Sequence, residues 1–387
     1  MTDHRRRSIK RDMVFTEDNR KIAIFVSFSG SGGVERMVVN LSEGLVDRGF
    51  LVDLVLVKAL SSHLDALSSK VNVVKLGSSH TMGSLPALVR YLRRQRPAAL
   101  LAAKDRANQV AILARRLAGV ETRIVVRMGT TASSALEGKS LFKHWLWYIP
   151  MRLLYPLADE IVAVSNGVAT DLAKITGLPP MRIRVIANPV ITQRLGMLAK
   201  EPLAHPWFIE SKKPVILGAG RLTRQKDFPT LIKAFALMRT SYPCRLIILG
   251  GGKDRGVLEA LATRLGVGDD FHMPGFVNNP YAFMSRASLF VLSSAWEGSP
   301  NVLTEALALG VPVVATDCPS GPGEILGGGL YGRLVPVGNE HALADAMLST
   351  LVNPPDKTSL MNVVREYSVE TSTRRYLETL LGGSPGY

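Results

Sequence analysis

The sequence predicts an α/β protein made of two facing Rossmann-like domains, each a doubly wound parallel sheet, with a cleft between them. The chain has 387 residues, which is more than one hydrophobic core usually supports. Short apolar segments alternate with amphipathic helical segments through both halves. A stretch containing proline and lysine, residues 201–214, separates the two series, so we place the boundary near residue 195.

The first half opens with a strand–helix–strand unit. The apolar run 21–26 is typical of a buried parallel strand, and it ends in a loop of glycine and serine at 27–33. A helix with apolar residues at helical spacing follows, Gly49 ends it, and the next strand covers 51–57. The same alternation predicts the later elements of this half, which are helices at 85–96 and 108–117 and strands at 98–103, 122–128 and 160–165.

The second half repeats this alternation. Its predicted strands are 215–218, 245–249, 289–292 and 312–316, and its predicted helices are 230–239, 256–265 and 302–309. The expected organisation is a basic mobile arm at 1–20, an N-terminal domain at 21–195 and a C-terminal domain at 196–366, with a helix at about 367–382 packing back on the first domain. Ligands of such sheets bind beyond the carboxyl ends of the strands, so the site is expected in the cleft.

Net charge differs between the halves. Residues 1–195 hold 29 Lys and Arg against 15 Asp and Glu, a net charge of +14. Residues 196–387 hold 18 against 17, a net charge of +1. The excess indicates either that the first half faces an anionic partner or merely that it keeps the protein in solution. Nucleic acid, phospholipid and a diphosphate-bearing acceptor all remain open as partners.

Cysteine content and hydropathy favour a cytoplasmic protein. Cys244 and Cys318 are the only cysteines, so no disulfide framework is expected, and both look like small buried residues. The basic start lacks the apolar segment of a secretory signal. No stretch approaches the roughly 20 apolar residues of a spanning helix.

The strongest functional signal is the segment 293–306, a predicted strand end, tight loop and helix start. Gly298 lets the backbone approach a ligand, and free amides expected over 299–303 open a helix whose positive end favours phosphate. Glu297 precedes the helix and Glu305 lies inside it, so the two carboxylates must contact different atoms. The alternative is that Glu297 is a solvated loop residue and Glu305 an ordinary surface residue of the helix.

A second signal follows the first strand of the C-terminal half, in a glycine turn over residues 218–227. Arg221 and Lys226 can converge there on one anion, because a guanidinium offers bidentate bonds to a diphosphate and an ammonium adds a compact charge. Together they would stabilise a departing nucleoside diphosphate. The alternative is that Arg221 or Arg224 pairs with Asp227.

Together with further segments, these motifs make the sequence resemble the retaining glycosyltransferases of family 4, two-domain enzymes with the GT-B fold, over nearly its whole length. No single segment is specific to the family, but the order and spacing of all the matching segments are. The matching segments are 32–35, 164–168, 188–190, 220–222 with Lys226, the glutamates at 297 and 305, 310–316 and 319–326.

The resemblance implies a role for each candidate residue. Arg221 and Lys226 grip the donor diphosphate, Glu305 holds the ribose, and Glu297 accepts hydrogen bonds from the sugar near the reacting carbon. The backbone beyond Glu297 also faces the sugar and phosphates, and it comprises Gly298, Ser299, Pro300, Asn301 and Val302. We assign Glu297, Arg221 and Lys226 to catalysis and the others to donor binding.

Two further segments complete the expected donor site. The loop 273–277, with Gly275, Phe276 and Val277, holds the base by this resemblance. Gly32 and Gly33 close over the sugar and the β-phosphate, a role that suits their small size and free amides. The alternative for these two glycines is a mere strand-to-helix turn.

One departure from the family pattern concerns the first domain. Many relatives carry a histidine near the reacting sugar, whereas this chain has Arg127, Met128, Gly129 and Thr130 there. We expect Arg127 or Thr130 to contact the acceptor, without a catalytic role. No Asp-x-Asp or His-rich cluster is placed to hold a metal-bound diphosphate, so we expect metal-independent transfer without a cofactor.

The function expected from this resemblance is retaining transfer of a sugar from a nucleotide sugar, with a UDP-sugar favoured by residues 319–326. The acceptor is expected to be a glycan or a polyprenyl-diphosphate-linked molecule in cell-surface polysaccharide or glycolipid synthesis. An epimerase or a hydrolase on the same scaffold remains the alternative. An oxidoreductase is disfavoured because the loop 27–34 lacks Gly-x-Gly-x-x-Gly, and nucleic-acid binding because no stacking-aromatic array is present.

Two segments are candidates for contact with the acceptor or a membrane. The predicted helix 84–95 ends in a cluster of arginines, although it is equally consistent with a core-packed helix solvated by them. The segment 139–155 mixes basic residues with interfacial aromatics such as Trp145 and Tyr148. With the charge of the first half, they predict peripheral binding to the anionic inner face of a membrane.

Overall fold

The first sheet consists of parallel strands from the N-terminal half. The structure, a computed structural model, describes residues 20–30, 32–209 and 213–382, so the predicted arm lies outside the described residues except for Arg20. The strands are β1 (Lys21–Phe28), β2 (Leu51–Ala59), β3 (Asn72–Lys75), β4 (Ala99–Ala103), β5 (Arg123–Met128), β6 (Glu160–Ala163) and β7 (Ile183–Val185). Their spatial order is β3-β2-β1-β4-β5-β6-β7.

Helices cover both faces of this sheet. They are α1 (Gly33–Val46), α2 (Leu85–Gln95), α3 (Asp105–Ala118), α4 (Ala132–Leu136), α5 (Leu141–Leu154) and α6 (Asn166–Thr176), and α7 (Gln193–Ala199) follows near the domain junction. Strand β1 is buried on both faces because one apolar cluster packs on each side of the sheet.

The second sheet is built in the same way from the C-terminal half. Its strands are β8 (Val215–Ala219), β9 (Arg245–Leu249), β10 (Phe271–Gly275), β11 (Leu289–Leu292), β12 (Val313–Thr316) and β13 (Arg333–Val335). They lie parallel in the order β10-β9-β8-β11-β12-β13. The helices are α8 (Pro206–Ile209), α9 (Phe228–Arg239), α10 (Arg255–Arg264), α11 (Pro280–Met284), α12 (Asn301–Ala308), α13 (Pro322–Ile325), α14 (Glu340–Val352), α15 (Lys357–Val363) and α16 (Val369–Leu380).

Both sheets have the doubly wound topology, and the predicted pair of facing α/β domains is confirmed. The strand order reverses between β1 and β4 in the first sheet and between β8 and β11 in the second. Loops that follow these strands therefore flank the crevice where ligands of such sheets bind.

The sequence missed strands at the sheet edges. Strands β3, β7 and β13 are short and contain polar residues, so they lack the apolar run that identified the central strands. The segment 273–277 was expected to be a loop, but Met273 to Gly275 belong to edge strand β10. Only Phe276 and Val277 lie beyond its end.

The C-terminal helix α16 packs on the first domain. Tyr376 and Leu380 are fully buried in the apolar cluster that includes α1 and β1. The chain crosses back beside the interdomain connection, where the amides of Val190 and Ile191 donate to the carbonyl of Tyr367 at 2.9 and 3.0 Å. Two segments thus join the domains at one place.

Candidate active site

The N-terminus of helix α12 lies at the centre of the cleft. It follows Pro300 after strand β11, and the amides of Asn301 and Val302 donate to no protein acceptor within the described residues. Such amides and the helix dipole together favour phosphate. The expected run of free amides was too long, because Leu303 donates to the Pro300 carbonyl at 3.0 Å and proline has no N–H.

Glu297 is a buried residue with partners, so the solvated-loop alternative is wrong. The residue is 7% exposed. Its Oε1 accepts hydrogen bonds from the Ser294 hydroxyl at 2.7 Å and from Lys226 Nζ at 2.5 Å. The stem of Lys226 packs under Gly220, where a Cβ would lie 3.0 to 3.1 Å from it. The two residues expected to act on sugar and diphosphate therefore form one ion pair.

Arg221 projects from the loop after β8 into solvent. No ion pair of the described residues includes it, and Asp227 accepts instead from the Thr230 hydroxyl at 2.7 Å. The alternative of an Arg221–Asp227 pair is wrong. The Arg221 guanidinium is therefore without an ion-pair partner among the described residues, on the same loop that carries Lys226.

Glu305 is buried inside α12 and faces the other domain. It is 1% exposed, so it is no surface residue, and its Oε1 pairs with Arg36 Nη2 at 2.8 Å. Arg36 also donates to the Tyr281 hydroxyl at 3.1 Å. The other oxygen, Oε2, is buried and accepts no hydrogen bond within the described residues. Burial raises the pKa of Glu305 above its ordinary value, and the positive charge of Arg36 opposes that rise.

Arg36 and Tyr281 are site residues that the sequence did not reveal. Arg36 stands one residue after the glycine-glutamate motif at the start of α1, which is the one signal that pointed toward it. Tyr281 lies on α11, far along the chain, and no spacing rule connects it with Glu305.

The glycine loop of the first domain touches the start of α12. Asn301 Nδ2 donates to the carbonyl of Gly33 at 3.1 Å, and a Cβ on Gly33 would lie 3.2 Å from that nitrogen. A Cβ on Gly32 would lie 2.9 Å from a carboxylate oxygen of Glu35. A strand-to-helix turn alone does not account for this contact between the domains.

The backbones of the two domains also meet at Gly298. A Cβ there would lie 2.2 Å from the carbonyl oxygen of Gly129 and 2.8 Å from the Cα of Thr130. Thr131 donates its hydroxyl hydrogen to the carbonyl of Glu297 at 3.4 Å. The loop after β5 thus packs directly on the loop that carries Glu297.

The expected base-binding residues lie at one side of the second sheet. Gly275 ends β10 with a φ of 92°, which favours glycine, and its carbonyl accepts from the amide of Gly250 at 2.8 Å. Phe276 is 54% exposed just beyond it. Strands β9 and β8 separate Gly275, Phe276 and Val277 from the β11 loop.

A further interdomain contact joins two motifs that the sequence had not connected. The carboxylate of Glu324 accepts from the amides of Asn166 and Gly167 at 2.8 and 2.9 Å, at the N-terminus of α6. The hydroxyls of Ser165 and Ser320 lie 3.0 Å apart. The negative carboxylate complements the helix dipole, so this contact holds the domains together.

Helix α5 borders a cavity of about 1060 Å³ that begins beside Ser320 and extends along the first domain. Trp145, Tyr148, Arg152 and Lys174 line it. The exposed side chains of α5 are the apolar Phe142, Trp145, Leu146 and Leu153 and the basic Lys143 and Arg152. Helix α2, the other candidate, packs three residues into the core and ties Arg93 to the Leu117 carbonyl at 2.8 Å.

The described residues contain neither a metal-binding cluster nor a membrane-spanning helix. No group of three or more His, Cys, Asp or Glu side chains there is arranged to hold a metal ion. None of the described helices is long and apolar enough to cross a membrane. Cys244 and Cys318 are both buried, as expected from the sequence.

Comparison with known proteins identifies the family. The profile of glycosyltransferase family 4 matches residues 31–194, and that of glycosyl transferases group 1 matches residues 200–367. Over 341 residues, the chain is 30% identical to N-acetylgalactosamine-N,N'-diacetylbacillosaminyl-diphospho-undecaprenol 4-alpha-N-acetylgalactosaminyltransferase of Campylobacter jejuni, covering 86% of this chain and 90% of that protein. It is 28% identical to the lipopolysaccharide core biosynthesis glycosyltransferase LpsE of Rhizobium meliloti over 371 residues, 91% of this chain and 97% of that one.

Solved structures show the same fold. Anabaena HepE in complex with UDP-glucose superposes with a TM-score of 0.77 at 20% identity, over 94% of this chain and 99% of that one. The two doubly wound domains, the cleft between them and the motifs that line it thus agree with the sequence matches. The chain belongs to glycosyltransferase family 4 and has the GT-B fold.

Proposed function

We propose that this glycosyltransferase transfers a sugar from a UDP-sugar to a lipid-linked acceptor with retention of anomeric configuration. The observation that carries the proposal is the meeting of three features in the cleft: the open N-terminus of α12, the Lys226–Glu297 pair and the exposed Arg221. Each suits an anionic diphosphate or the sugar attached to it.

The proposed chemistry uses these groups to position the substrates and stabilise charge. Arg221, Lys226 and the first amides of α12 face the diphosphate, while Glu305 accepts from ribose hydroxyls through its free Oε2. Glu297, held by Lys226 and Ser294, accepts from a sugar hydroxyl. The bond from the anomeric carbon to the phosphate oxygen breaks as the bond to the acceptor oxygen forms on the same face, and the acceptor proton passes to the leaving phosphate.

This scheme assigns the neutralisation of the leaving group to side chains, so we propose transfer without a metal ion or another cofactor. Arg221 and Lys226 supply positive charge where a Mg²⁺ ion acts in other phosphate chemistry. The test is an activity assay in excess EDTA, where we expect unchanged turnover. Complete loss of activity that Mg²⁺ or Mn²⁺ restores would falsify this part of the scheme.

The nucleotide is proposed to be UDP. The support is the resemblance around residues 319–326, and a protein of the same fold, HepE, has been solved with UDP-glucose. Thermal shift with UDP, GDP, ADP and CMP tests this directly. We expect UDP to raise the melting temperature most, and a larger shift with another nucleotide would replace UDP in the scheme.

The acceptor is proposed to bind in the cavity beside α5, at the inner face of a membrane. The relative from Campylobacter jejuni acts on a diphospho-undecaprenol acceptor by its name. The cavity places Arg152 and Lys174 near apolar surface, which suits a phosphate group next to a lipid chain. The exposed apolar side chains of α5 and the net charge of +14 in residues 1–195 suit an anionic membrane surface.

Co-sedimentation with vesicles tests the membrane contact. We expect the wild type to prefer anionic over neutral vesicles, and replacement of Phe142 and Trp145 by serine to reduce binding. Met181→Ser is the matched control, because Met181 is 90% exposed in the same domain but lies outside α5. Equal binding by all three proteins would remove α5 from the proposed membrane surface.

A transfer assay separates this function from the alternatives on the same scaffold. A nucleotide-sugar epimerase converts the donor without an acceptor, and a hydrolase releases free sugar. We expect product only when donor and acceptor are both present. Free sugar or an isomerised donor in the absence of acceptor would favour the alternatives.

A further inference from the structure

Arg127 is a buried arginine at the end of β5, beside the donor crevice. Its side chain is among the largest fully buried ones in the described residues, and the residue is 2% exposed.

The protein satisfies the Arg127 guanidinium only with neutral groups. Nε donates to the Tyr376 hydroxyl on α16 at 3.2 Å, and Nη2 donates to the side-chain oxygen of Asn188 at 2.6 Å. The remaining nitrogen, Nη1, donates to no protein acceptor in the part of the chain that the structure describes. No ion pair formed by residues 20–30, 32–209 and 213–382 includes Arg127.

Other buried charges near the cleft are paired. Glu35 meets Lys104 at 2.7 Å, and Glu305 meets Arg36 at 2.8 Å. An isolated buried charge costs several kcal/mol, by rough estimate, unless a counter-charge joins it. Arg127 thus differs from these residues, because its charge has no counter-ion among the described residues.

The Nη1 edge of the guanidinium lies against the loop after β5, which packs on the loop that carries Glu297. A Cβ on Gly129 would lie 2.8 Å from Nη1, and the carbonyl of Gly129 in turn packs against Gly298. On the other edge, Asn188 links the guanidinium to helix α12 by donating to the side-chain oxygen of Asn301 at 2.8 Å. Arg127 thus lies two hydrogen bonds from the helix N-terminus to which we assign the diphosphate.

We propose that Arg127 forms an anion subsite on the first-domain side of the cleft, and that its ligand is a phosphate oxygen of a substrate. That phosphate belongs either to the donor diphosphate or to the diphosphate of the acceptor, and the proposal rests on the proposed function. Tyr376 is a positioning residue for the guanidinium, so the C-terminal helix contributes to the site through it. Gly129 allows the guanidinium its position, since a Cβ there would lie 2.8 Å from Nη1.

The competing explanation is structural. Arg127 cross-links α16 to the interdomain connection through Tyr376 and Asn188, and this alone would account for its burial. The two accounts predict different results for a variant that still folds but lacks the positive charge. The structural account predicts a lower melting temperature only, whereas the subsite predicts a selective loss of binding to phosphate-bearing substrates.

The experiment compares wild type with Arg127→Gln, Arg127→Lys and the control Arg123→Gln. Arg123 lies on the same strand and also contacts α16, through the Thr379 carbonyl at 3.2 Å, but it is paired with Glu160 at 2.8 Å. For each protein, the affinities for UDP and uridine, the KM for a diphosphate-linked acceptor, and kcat are measured below the melting temperature.

We expect Arg127→Gln to weaken the binding of one phosphate-bearing substrate by roughly tenfold or more, because a charge-assisted hydrogen bond contributes about 1.5–3 kcal/mol. The identity of the phosphate decides which substrate is affected. If the ligand is the donor phosphate, UDP affinity falls and uridine affinity stays. If it is the acceptor phosphate, UDP affinity stays and the acceptor KM rises. Arg127→Lys should recover part of the loss, added guanidinium should raise the activity of Arg127→Gln, and Arg123→Gln should behave as wild type.

Unchanged UDP affinity, acceptor KM and kcat in folded Arg127→Gln would overturn the subsite. If that variant does not fold, Tyr376→Phe replaces it, because it retains the charge and removes only the bond to Nε. A loss of less than tenfold in UDP affinity, or a rise of less than tenfold in the acceptor KM, then supports the subsite. No change in either quantity overturns it. Failure of the wild type to bind any nucleoside diphosphate would refute the proposed function instead.

Discussion

The two sides of the cleft have the same topology but satisfy their charges differently. On the C-terminal side the net charge is +1, and the buried site charges are paired within the protein, as in Lys226 with Glu297. On the N-terminal side the net charge is +14, and Arg127 is buried without a carboxylate partner among the described residues. Helix α5 adds apolar side chains to that side's surface.

This difference indicates how each side is used. We infer that the C-terminal side is preorganised, because the Lys226–Glu297 ion pair fixes these two side chains before a ligand binds, and preorganised charges lose little free energy to rearrangement during reaction. The N-terminal side, in the same inference, is completed at Arg127 by the ligand that binds there. The predictions below test this contrast, beginning with the largest expected effect.

Replacement of Lys226 by alanine should affect turnover most. Loss of one group that stabilises transition-state charge typically lowers kcat by roughly 10²–10³-fold, and Glu297 would also lose its partner. Steady-state kinetics checks this, with Lys233→Ala as the control, since Lys233 forms an exposed pair with Glu340 at 3.5 Å. If Lys226→Ala changed only the donor KM, the preorganised side would have been misidentified.

Replacement of Gly298 by alanine tests the contact between the two sides. The added Cβ would lie 2.2 Å from the Gly129 carbonyl, so the domains must separate. A misplacement of about 1 Å can cost roughly 10²-fold in rate, and we expect a loss of that order in kcat. Gly256→Ala is the control, since no atom lies within 4 Å of its new Cβ. Equal activity of both variants would show that closure at Gly298 is unnecessary.

Replacement of Glu305 by alanine should chiefly weaken donor binding. Loss of a charge-assisted hydrogen bond to ribose is expected to raise the donor KM by about tenfold or more and leave kcat nearly unchanged. Glu259→Ala, at a half-exposed position on α10, serves as the control for kinetics. A large fall in kcat without a change in KM would reverse the division of roles between Glu305 and Lys226.

Donor affinity should also depend on pH through Glu305. Because burial raises the pKa of this carboxyl in the folded protein, it takes up a proton at a higher pH than in the unfolded chain. As the pH falls from neutral through that raised pKa, the carboxylate is lost and UDP affinity should fall, while protonation of this group favours the folded state. UDP titrations across pH should show an acid limb in wild type that Glu305→Gln lacks.

The sequence predicted the fold well where the chain signals it locally. Long apolar strands such as β1 and β2 and the glycine turns after them were recognisable, because a strand buried on both faces needs a continuous apolar run. Edge strands such as β3 carry no such run. The proposed donor-binding segment 293–306 stands out in the sequence because a glycine loop, a helix start and two glutamates lie within a few residues.

Pairings between residues far apart in the chain were not predictable from the sequence. Arg36 meets Glu305, Glu324 meets the N-terminus of α6, and Arg127 reaches Tyr376, all between residues more than 150 positions apart in the chain. Spacing rules describe neighbours on one helix or strand, so they give no information on such contacts. The pairing of Lys226 with Glu297, 71 positions apart within the C-terminal domain, was not predictable for the same reason.

The central claim is that a nucleoside diphosphate leaves at the preorganised C-terminal side while the acceptor attacks the anomeric carbon from the same face. NMR of the disaccharide product formed from an α-linked UDP-sugar and a diphosphate-linked acceptor tests it most directly. The account predicts an α-linkage in the product, with wild type active and Lys226→Ala nearly inactive. A β-linked product would contradict the account, because inversion requires attack from the opposite face.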